Sequence, residues 1–313
     1  MYEHPGNRIG DAWTFVAGET AHLFYLTAPH DAPLVGERPS WDIGHAVSTD
    51  LISWEYVGLA LTRGRDGAWD DARLATGSVI ERGGRYWMAF TGHRAADRPL
   101  VQRVGMAVSD DLMHWRKLPE SPVSEPDPAH YELAGSGQRA VVHWRDPFLL
   151  DLGDEVVQYV CARSRVGDPA TRGTVGLAAT SNMRDWTVLA PATVDPVAEE
   201  LEVPQVYCID DRWYLVFCTQ PRWLAPAFRR RFAGHPFRRG DYSMVGDGPR
   251  GPFRIHGTGE IVPPTSSLHV YASQLVCWHG QWRLLGTMQS PRRDAISDPI
   301  PIAADETGIH ASP

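Results

Sequence analysis

The chain has 313 residues, of which 43% are hydrophobic and 22% charged, enough for one large globular domain or two smaller ones. Its formal net charge of −8 argues against nucleic acid or an anionic membrane surface as the main partner. The sequence contains no apolar run of about 18 residues, and its first residues are polar, so we expect a cytoplasmic protein without a membrane segment.

An aromatic-rich segment with period-two alternation recurs five times, each time beside a polar turn. The copies lie at residues 22–26, 86–90, 156–160, 213–217 and 281–285. Alternation of this period predicts strands in hairpins, and helical periodicity is weak throughout the chain. The sequence therefore predicts an all-β protein built from five similar units.

A second repeat, Ser-x-Asp-Leu-x-x-Trp, occupies residues 48–54 and 109–115 and recurs more loosely at 181–186. Its tryptophans are roughly 60 to 70 positions apart, a period that suits a blade of four short strands. We interpret these segments as structural turns, capped by Ser or Asp, whose Trp packs between blades. The sequence thus predicts a five-bladed β-propeller over residues 1–292 and a C-terminal tail over residues 293–313.

Three carboxylates occupy equivalent places in their predicted blades. Asp11, Asp146 and Glu202 each precede an aromatic strand by one element. Because the inner strands of a propeller converge on a central channel, we expect these side chains to meet in one pocket. Paired carboxyl groups are the groups that cleave glycosidic bonds, so these are the candidate catalytic residues.

Several motifs follow one another in a fixed order along the chain. They are Asp11 eleven residues before 22–25, the stretch WDIGHAVSTDLISW at 41–54, ATGSV at 75–79, WRDP at 144–147, EVP at 202–204 and YASQ at 271–274. Together they resemble glycoside hydrolase family 32, the invertase, levanase and inulinase group, and more distantly families 68 and 43. The resemblance runs from about residue 6 to 290 and implies a five-bladed propeller that hydrolyses a β-fructofuranoside or a related furanoside. The chain ends too soon for the β-sandwich that follows the propeller in most members, so we expect none.

Three positions depart from the family pattern. The segment around Asp11 reads Gly-Asp-Ala-Trp where the family has Asn-Asp-Pro-Asn-Gly. Val203 replaces a cysteine, and His269 stands where an acidic residue is usual. These departures leave the carboxylates in place and bear on sugar specificity.

The resemblance also implies roles for the three acids. Asp11 would be the nucleophile, Glu202 the acid and then the base, and Asp146 the residue that holds two sugar hydroxyls. In a retaining enzyme we expect the carboxyl groups of Asp11 and Glu202 to lie about 5–5.5 Å apart. We also expect hydrogen bonds from backbone donors, or from a neighbour such as Arg145, to keep Asp11 ionised.

Further residues are candidates for binding the sugar. Trp13 and Trp41 could stack on it, and the others could contact its hydroxyls or line the mouth of the channel; the full set is Trp13, Trp41, Asp71, Ser78, Arg145, Gln205, His269 and Tyr271. The arginines at 229–231 and 238–239 are interpreted as a solvated loop. No second His stands at metal-ligand spacing from His269, so we expect no catalytic metal, no cofactor, and a small saccharide or glycoside as substrate.

Other functions use the same residues. An inverting enzyme of the arabinofuranosidase or xylosidase type would have its carboxyl groups about 6.5–9.5 Å apart. A fructosyltransferase would need the same three acids and differ in access of the acceptor. A sugar-binding propeller that had lost catalysis would bind without turnover.

Overall fold

A computed structural model describes residues 1–32, 34–35, 38–133, 140–193, 195–290 and 293–312. The described part is almost entirely β-structure, with one 3₁₀ turn at Pro169–Thr171 and one short helix, α1, at Pro226–Arg231. No helix in this part has the length and apolar character needed to span a bilayer. The strands form five antiparallel sheets of four main strands, the blades of a five-bladed β-propeller, which confirms the predicted fold class.

The blades follow one another in chain order, and each strand lies beside the preceding strand of its blade. The first blade contains β1 (Asn7–Ala17), β2 (Thr20–Pro29), β5 (Asp42–Ser48) and β6 (Glu55–Leu61), with a separate hairpin of β3 (Leu34–Val35) and β4 (Arg38–Pro39). The second contains β7 (Arg73–Arg82), β8 (Arg85–His93), β9 (Leu100–Ser109) and β10 (Arg116–Lys117), and β11 (Val141–Val142) pairs with β9. The third contains β12 (Trp144–Asp151), β13 (Val156–Arg163), β14 (Gly173–Thr180) and β15 (Thr187–Leu189).

The last two blades complete the ring. The fourth contains β16 (Glu202–Ile209), β17 (Arg212–Thr219), β18 (Gly240–Gly246) and β19 (Phe253–Arg254). The fifth contains β20 (Tyr271–Trp278), β21 (Gln281–Ser290), β23 (Ile300–Asp305) and β24 (Gly308–Ala311), and β22 (Arg293–Ile296) pairs with β21. All five aromatic segments form strands, as predicted, and each is the second strand of its blade.

The C-terminal segment differs from the prediction of a tail. Strands β22, β23 and β24 belong to the fifth sheet, so residues 293–311 are part of the propeller. Tyr2 also forms a β-bridge with Ile296, which ties the two ends of the described chain together. The alternation in 300–305 is exposed on one face, as in an outer strand, and the Pro-rich composition concealed it.

The hydrophobic core lies between the blades, and the first strand of every blade contacts the first strand of the next, β20 closing on β1. A cluster of buried side chains occupies each junction, represented by Phe24 and Phe90, Met106 and Trp144, Tyr159 and Leu215, Val216 and Leu284, and Leu285 and Leu23. Each fully buried side chain of this size contributes about 1.5–3 kcal/mol. The core therefore holds the inner strands in a ring around one central cavity.

The Ser-x-Asp-Leu-x-x-Trp segments are turns, as predicted. The Ser48 hydroxyl accepts from the N–H groups of Asp50 and Leu51, and the Asp50 carboxylate accepts from Ile52 and from the next residue. Leu51 adopts a left-handed conformation with φ 62°, and the Trp54 indole donates to its carbonyl. The same pattern returns at 109–115, and the backbone caps return at 180–186 with Thr and Asn, without the hydrogen bond of the indole.

Every innermost strand carries an irregularity near its start. Its pairing with the second strand shifts between Ile9 and Ala12, Ala75 and Gly77, Arg145 and Phe148, Glu202 and Gln205, and Tyr271 and Gln274. A β-bulge bends its strand and redirects the side chains beside it. These five bulges therefore aim residues at the same end of the cavity.

Candidate active site

The three predicted catalytic carboxylates line one cavity of about 510 Å³ at the centre of the ring. Asp11 comes from the bulge of β1, Asp146 from that of β12, and Glu202 from that of β16. The sequence separates Asp11 from Glu202 by almost two thirds of the chain, and closure of the ring brings them together.

Asp146 is held by its backbone and by its carboxylate. The residue has φ 58°, a left-handed conformation that is costly for a side chain other than glycine. Its N–H donates to the Thr91 hydroxyl at 2.8 Å, and its Oδ2 accepts from the Val203 N–H at 3.2 Å. These contacts from the second and fourth blades position the carboxylate within the cavity.

Arg145 connects the acids of the third and fourth blades. Its Nε lies 3.2 Å from Asp146 Oδ2, and its Nη2 donates to Glu202 Oε1 at 2.8 Å and to Glu200 Oε2 at 2.7 Å. Arg145 is 4% exposed, so these charge-assisted bonds form with little water present. The pKa of Arg145 is raised well above its usual value because nearby carboxylates outweigh the cost of burial. A planar cation therefore fixes Glu202 relative to Asp146.

Glu202 is also held from the fifth blade. The Tyr271 hydroxyl donates to Glu202 Oε2, so both oxygens of this carboxylate have protein donors. Tyr271 lies in the bulge of β20, and the Arg239 guanidinium lies 3.7 Å from the centre of its ring. Contacts from the third and fifth blades thus converge on the predicted acid.

Asp11 has different neighbours from those expected. The Thr76 hydroxyl of the second blade donates to its Oδ2 at 2.7 Å. Burial raises the pKa of Asp11, as does the charge of Glu202, whereas the Thr76 hydrogen bond and the charges of Arg38 and Arg239 lower it. Arg145 was expected to keep Asp11 ionised. Its guanidinium instead faces the acids of the third and fourth blades, and Thr76, Arg38 and Arg239 are the groups that lower the pKa of Asp11.

The cavity favours retention of a proton among its acids. Burial raises the pKa of Asp146 to about 7; Arg145 lowers this pKa, and the charges of Asp11 and Glu202 raise it. Like charges that share a low-dielectric site titrate as one coupled group. The cluster can therefore hold both an ionised and a protonated carboxyl near neutral pH, as acid–base chemistry requires.

Three of the eight predicted sugar-binding residues line the cavity: Trp41, Arg145 and Tyr271. Trp13 is instead 1% exposed and stacks on Phe24 in the core between the first two blades. His269 is exposed in the loop before β20.

The other three predicted sugar-binding residues, Asp71, Ser78 and Gln205, use their polar atoms in hydrogen bonds within the protein. Asp71 accepts from the N–H groups of Gly67 and Ala95 in a surface loop. The Ser78 hydroxyl accepts from the Leu149 N–H at 2.9 Å and links the second and third blades. The Gln205 amide donates to two backbone carbonyls and accepts from a tyrosine hydroxyl, so it joins the fourth and fifth blades.

The structure adds cavity residues that the sequence analysis did not propose as sugar ligands. They are Arg38, Arg73, Thr76, His93, Gln102, Gln220, Arg222, Trp223 and Arg239. Arg239 was interpreted as part of a solvated loop; the residue is exposed, but its guanidinium also lies against the Tyr271 ring and lines the cavity. The sequence contained a signal for two of these residues. His93 ends the second strand of its blade, and Gln220 directly follows the second strand of another. The C-terminal end of a second strand lies beside the bulge of its antiparallel partner, and therefore beside the cavity.

Among the residues that the structure describes, no group of three or more His, Cys, Asp or Glu side chains is arranged to hold a metal ion.

Comparisons of the fold show close likeness to solved propellers. A β-fructofuranosidase from Bombyx mori superposes with a TM-score of 0.75 over 99% of this chain and 65% of that chain, at 18% identity. An inulosucrase from Halalkalicoccus jeotgali gives a TM-score of 0.76 over 98% of this chain and 87% of that chain, at 21% identity. At these identities the likeness concerns the fold alone.

Comparisons of the sequence identify relatives. A sucrose-6-phosphate hydrolase from Escherichia coli is 28% identical over 64% of this chain, and one from Zymomonas mobilis is 30% identical over 66%. The matched stretch spans 38% and 39% of those two proteins. The model of the glycosyl hydrolases family 32 N-terminal domain matches residues 14–257, a stretch that contains Asp146 and Glu202 and begins just after Asp11. By this match over most of its length, the chain belongs to glycoside hydrolase family 32.

Proposed function

We propose that this protein hydrolyses β-fructofuranosides with retention of configuration, using Asp11 as nucleophile and Glu202 as acid and base. The observation that carries the proposal is the convergence of three carboxylates from three blades in one cavity, with Arg145 bound to two of them. Membership of family 32 and the names of the sequence relatives support the same chemistry.

The first step would form a covalent intermediate. The Asp11 carboxylate attacks the anomeric carbon, the bond from this carbon to the leaving oxygen breaks, and its electron pair stays on that oxygen. Glu202 transfers its proton to the same oxygen, so the aglycone leaves as a neutral alcohol. The Arg145 guanidinium, 2.8 Å from Glu202, then stabilises the carboxylate that remains.

The second step would release the sugar. A water molecule gives a proton to Glu202 while its oxygen attacks the anomeric carbon, and the bond to Asp11 breaks with its electron pair returning to the carboxylate. Two successive inversions at the same carbon retain its configuration. Asp146, which the Val203 N–H and Arg145 orient, would accept hydrogen bonds from sugar hydroxyls and strengthen them as positive charge develops on the ring.

The test is a panel of sucrose, fructo-oligosaccharides and aryl β-fructofuranosides, with proton NMR of the first product. We expect hydrolysis and a β-configured first product. Replacement of Asp11 by Asn should abolish turnover of every substrate, whereas Glu202→Gln should retain turnover of aryl substrates whose leaving groups need no proton. A first product of inverted configuration would favour the arabinofuranosidase or xylosidase type, and dominant transfer to sugar acceptors would favour a fructosyltransferase.

Binding of sugar without turnover would leave the non-catalytic propeller as the correct description.

We also propose that the protein is cytoplasmic and acts on small saccharides. Efficient hydrolysis of levan or inulin, with little turnover of disaccharides, would contradict that preference.

A specific feature favours a phosphorylated saccharide within this class. Five guanidinium groups line the cavity with the three carboxylates: Arg38, Arg73, Arg145, Arg222 and Arg239. Burial and the charge of Arg38 together lower the pKa of Arg73 to about 10, so these two cations lie close enough to repel each other. A dianionic phosphate would relieve that repulsion. Two sequence relatives carry the name sucrose-6-phosphate hydrolase, which agrees with this preference.

The preference can be measured as a ratio of kcat/KM for sucrose 6-phosphate over sucrose. We expect Arg73→Ala and Arg38→Ala each to lower this ratio by about tenfold, since one charge-assisted contact is worth about 1.5 kcal/mol or more. Arg116→Ala, on the exposed strand β10, is the matched control and should leave the ratio unchanged. Equal losses on both substrates would show that the arginines serve folding or the fructosyl unit.

A further inference from the structure

Another buried carboxylate, besides Glu200, lies near the acids of the cavity. Asp241, on β18 of the fourth blade, is 2% exposed. Its Oδ1 accepts from the Ser273 N–H at 3.0 Å, and its Oδ2 accepts from the Ser273 hydroxyl at 2.6 Å. One carboxylate therefore accepts two hydrogen bonds from a single residue of the fifth blade.

Ser273 lies in the bulge of β20. The pairing of β20 with β21 shifts between Tyr271 and Gln274, and Ala272 has φ 51°, in the left-handed region. A non-glycine residue keeps that conformation only where its surroundings impose it. Besides Asp241, the Gln205 amide donates to the Ser273 carbonyl at 2.8 Å, so two side chains of the fourth blade hold the bulge.

The bulge in turn sets the direction of Tyr271. The hydroxyl of this residue donates to Glu202 Oε2, and its ring packs with Val203, Cys218 and Ala272 in a small buried cluster. Glu202 and Asp241 lie on β16 and β18 of the fourth blade, where both pair with Cys218 of β17, and their side chains are also connected through the fifth blade. A change at Asp241 therefore reaches the predicted acid through Ser273 and Tyr271.

We propose that Asp241 is a positioning residue for the acid/base carboxyl. Its two hydrogen bonds from Ser273 fix the β20 bulge, and the bulge keeps the Tyr271 hydroxyl hydrogen-bonded to Glu202. This role rests on the proposed function of Glu202. Burial raises the pKa of Asp241 to about 6, although the Ser273 hydrogen bonds and Arg239 lower it. The carboxyl is thus ionised at neutral pH and accepts both hydrogen bonds.

The test compares two substrates that differ in their need for a proton. The glucose released from sucrose is a poor leaving group that needs a proton, whereas the nitrophenolate released from a nitrophenyl β-fructofuranoside is a stable anion. For Asp241→Ala we expect kcat on sucrose to fall about 10- to 100-fold, since small displacements of a catalytic group have effects of this size. The kcat on the nitrophenyl substrate should fall less than about threefold, because proton transfer contributes little to that reaction.

A double-mutant cycle tests the route through Tyr271. If Asp241 acts by way of Tyr271, the double variant Asp241→Ala with Tyr271→Phe should lose no more activity on sucrose than Tyr271→Phe alone. Asp241→Asn keeps an oxygen for the Ser273 N–H and should restore most of the sucrose activity. Ser273→Ala removes one of the two hydrogen bonds and provides a second variant, with the same dependence on leaving group, if Asp241→Ala does not fold.

The control is Asp195→Ala, because Asp195 also accepts a backbone N–H, from Ile255, away from the cavity. It should change neither the ratio of the two activities nor KM. Equal losses on both substrates, or additive losses in the cycle, would overturn the role of Asp241. An inactive wild-type protein would overturn the proposed function and this role together.

Discussion

Removal of the charge of Asp146 should abolish activity and stabilise the fold. The ordinary pKa of an aspartate is 3.8, and burial raises that of Asp146 to about 7. Between these two values the folded protein keeps a proton that the unfolded chain has lost. By linkage, this carboxyl makes the folded state progressively less stable as pH rises from about 4 to about 7.

The size of the effect follows from the two pKa values, since one pH unit corresponds to about 1.4 kcal/mol. Asp146→Asn resembles the protonated residue and still offers an oxygen to the Val203 N–H. Arg145 keeps Glu200 and Glu202 as partners. The variant should therefore gain about 2 kcal/mol at pH 5.5 and about 4 kcal/mol at pH 7 and above, and nothing below pH 4.

Calorimetric melting of the wild type and the variant from pH 4 to pH 8 measures the difference. An unfolding entropy of about 2.1 cal/mol/K per residue over 313 residues converts 4 kcal/mol into a rise in Tm of about 6 °C at pH 7. Asp66→Asn, at an exposed position, is the control and should give no such trend. A difference that is constant with pH, or a variant whose Tm falls below that of the wild type as pH rises, would refute the reasoning.

Three other substitutions have defined outcomes. Ser78→Ala should cost about 1–3 kcal/mol in urea unfolding because it leaves the buried Leu149 N–H without its acceptor; an increase in KM without loss of stability would instead make Ser78 a sugar ligand. The buried pair of His22 and His45 is joined at 2.9 Å, and burial together with the charge of His22 lowers the pKa of His45 to about 3. The unfolded chain therefore binds more protons than the folded protein below pH 6.5. The free energy of unfolding should fall by about 2 kcal/mol between pH 6.5 and pH 5. In His45→Gln this fall should be smaller, which urea unfolding at the two pH values measures. Arg145→Lys replaces a planar guanidinium that reaches three carboxylates with a single ammonium charge, so kcat on sucrose should drop by about 100-fold. An unchanged kcat would contradict the role of Arg145.

Local chemistry explains why the fold was predictable. Strand alternation needs only neighbouring residues. Each turn repeat carries its own caps, so the contacts of Ser48, Asp50 and Trp54 return at Ser109, Asp111 and Trp115. The spacing of these repeats then sets the size of a blade and the number of blades. The outer strands at 293–311 escaped prediction because their pattern lacks the aromatic signature of the second strands.

The site was predictable only in part. Asp11, Asp146 and Glu202 were found because each precedes an aromatic strand, and all three line the cavity. Ser78 and Gln205 have the chemistry of sugar ligands, yet their polar atoms are used between blades. No local pattern distinguishes a hydroxyl that faces a cavity from one that faces the next blade.

By itself, the sequence determined an all-β ring of five blades and the three acids at the starts of inner strands. Only the tertiary structure decided which cations meet them, because Arg38 and Arg239 reach the cavity from different blades through ring closure. The tertiary structure also decided where each acid points. At a β-bulge one residue of displacement changes the face on which a side chain lies, and the left-handed conformations of Asp146 and Ala272 are imposed by contacts with other blades.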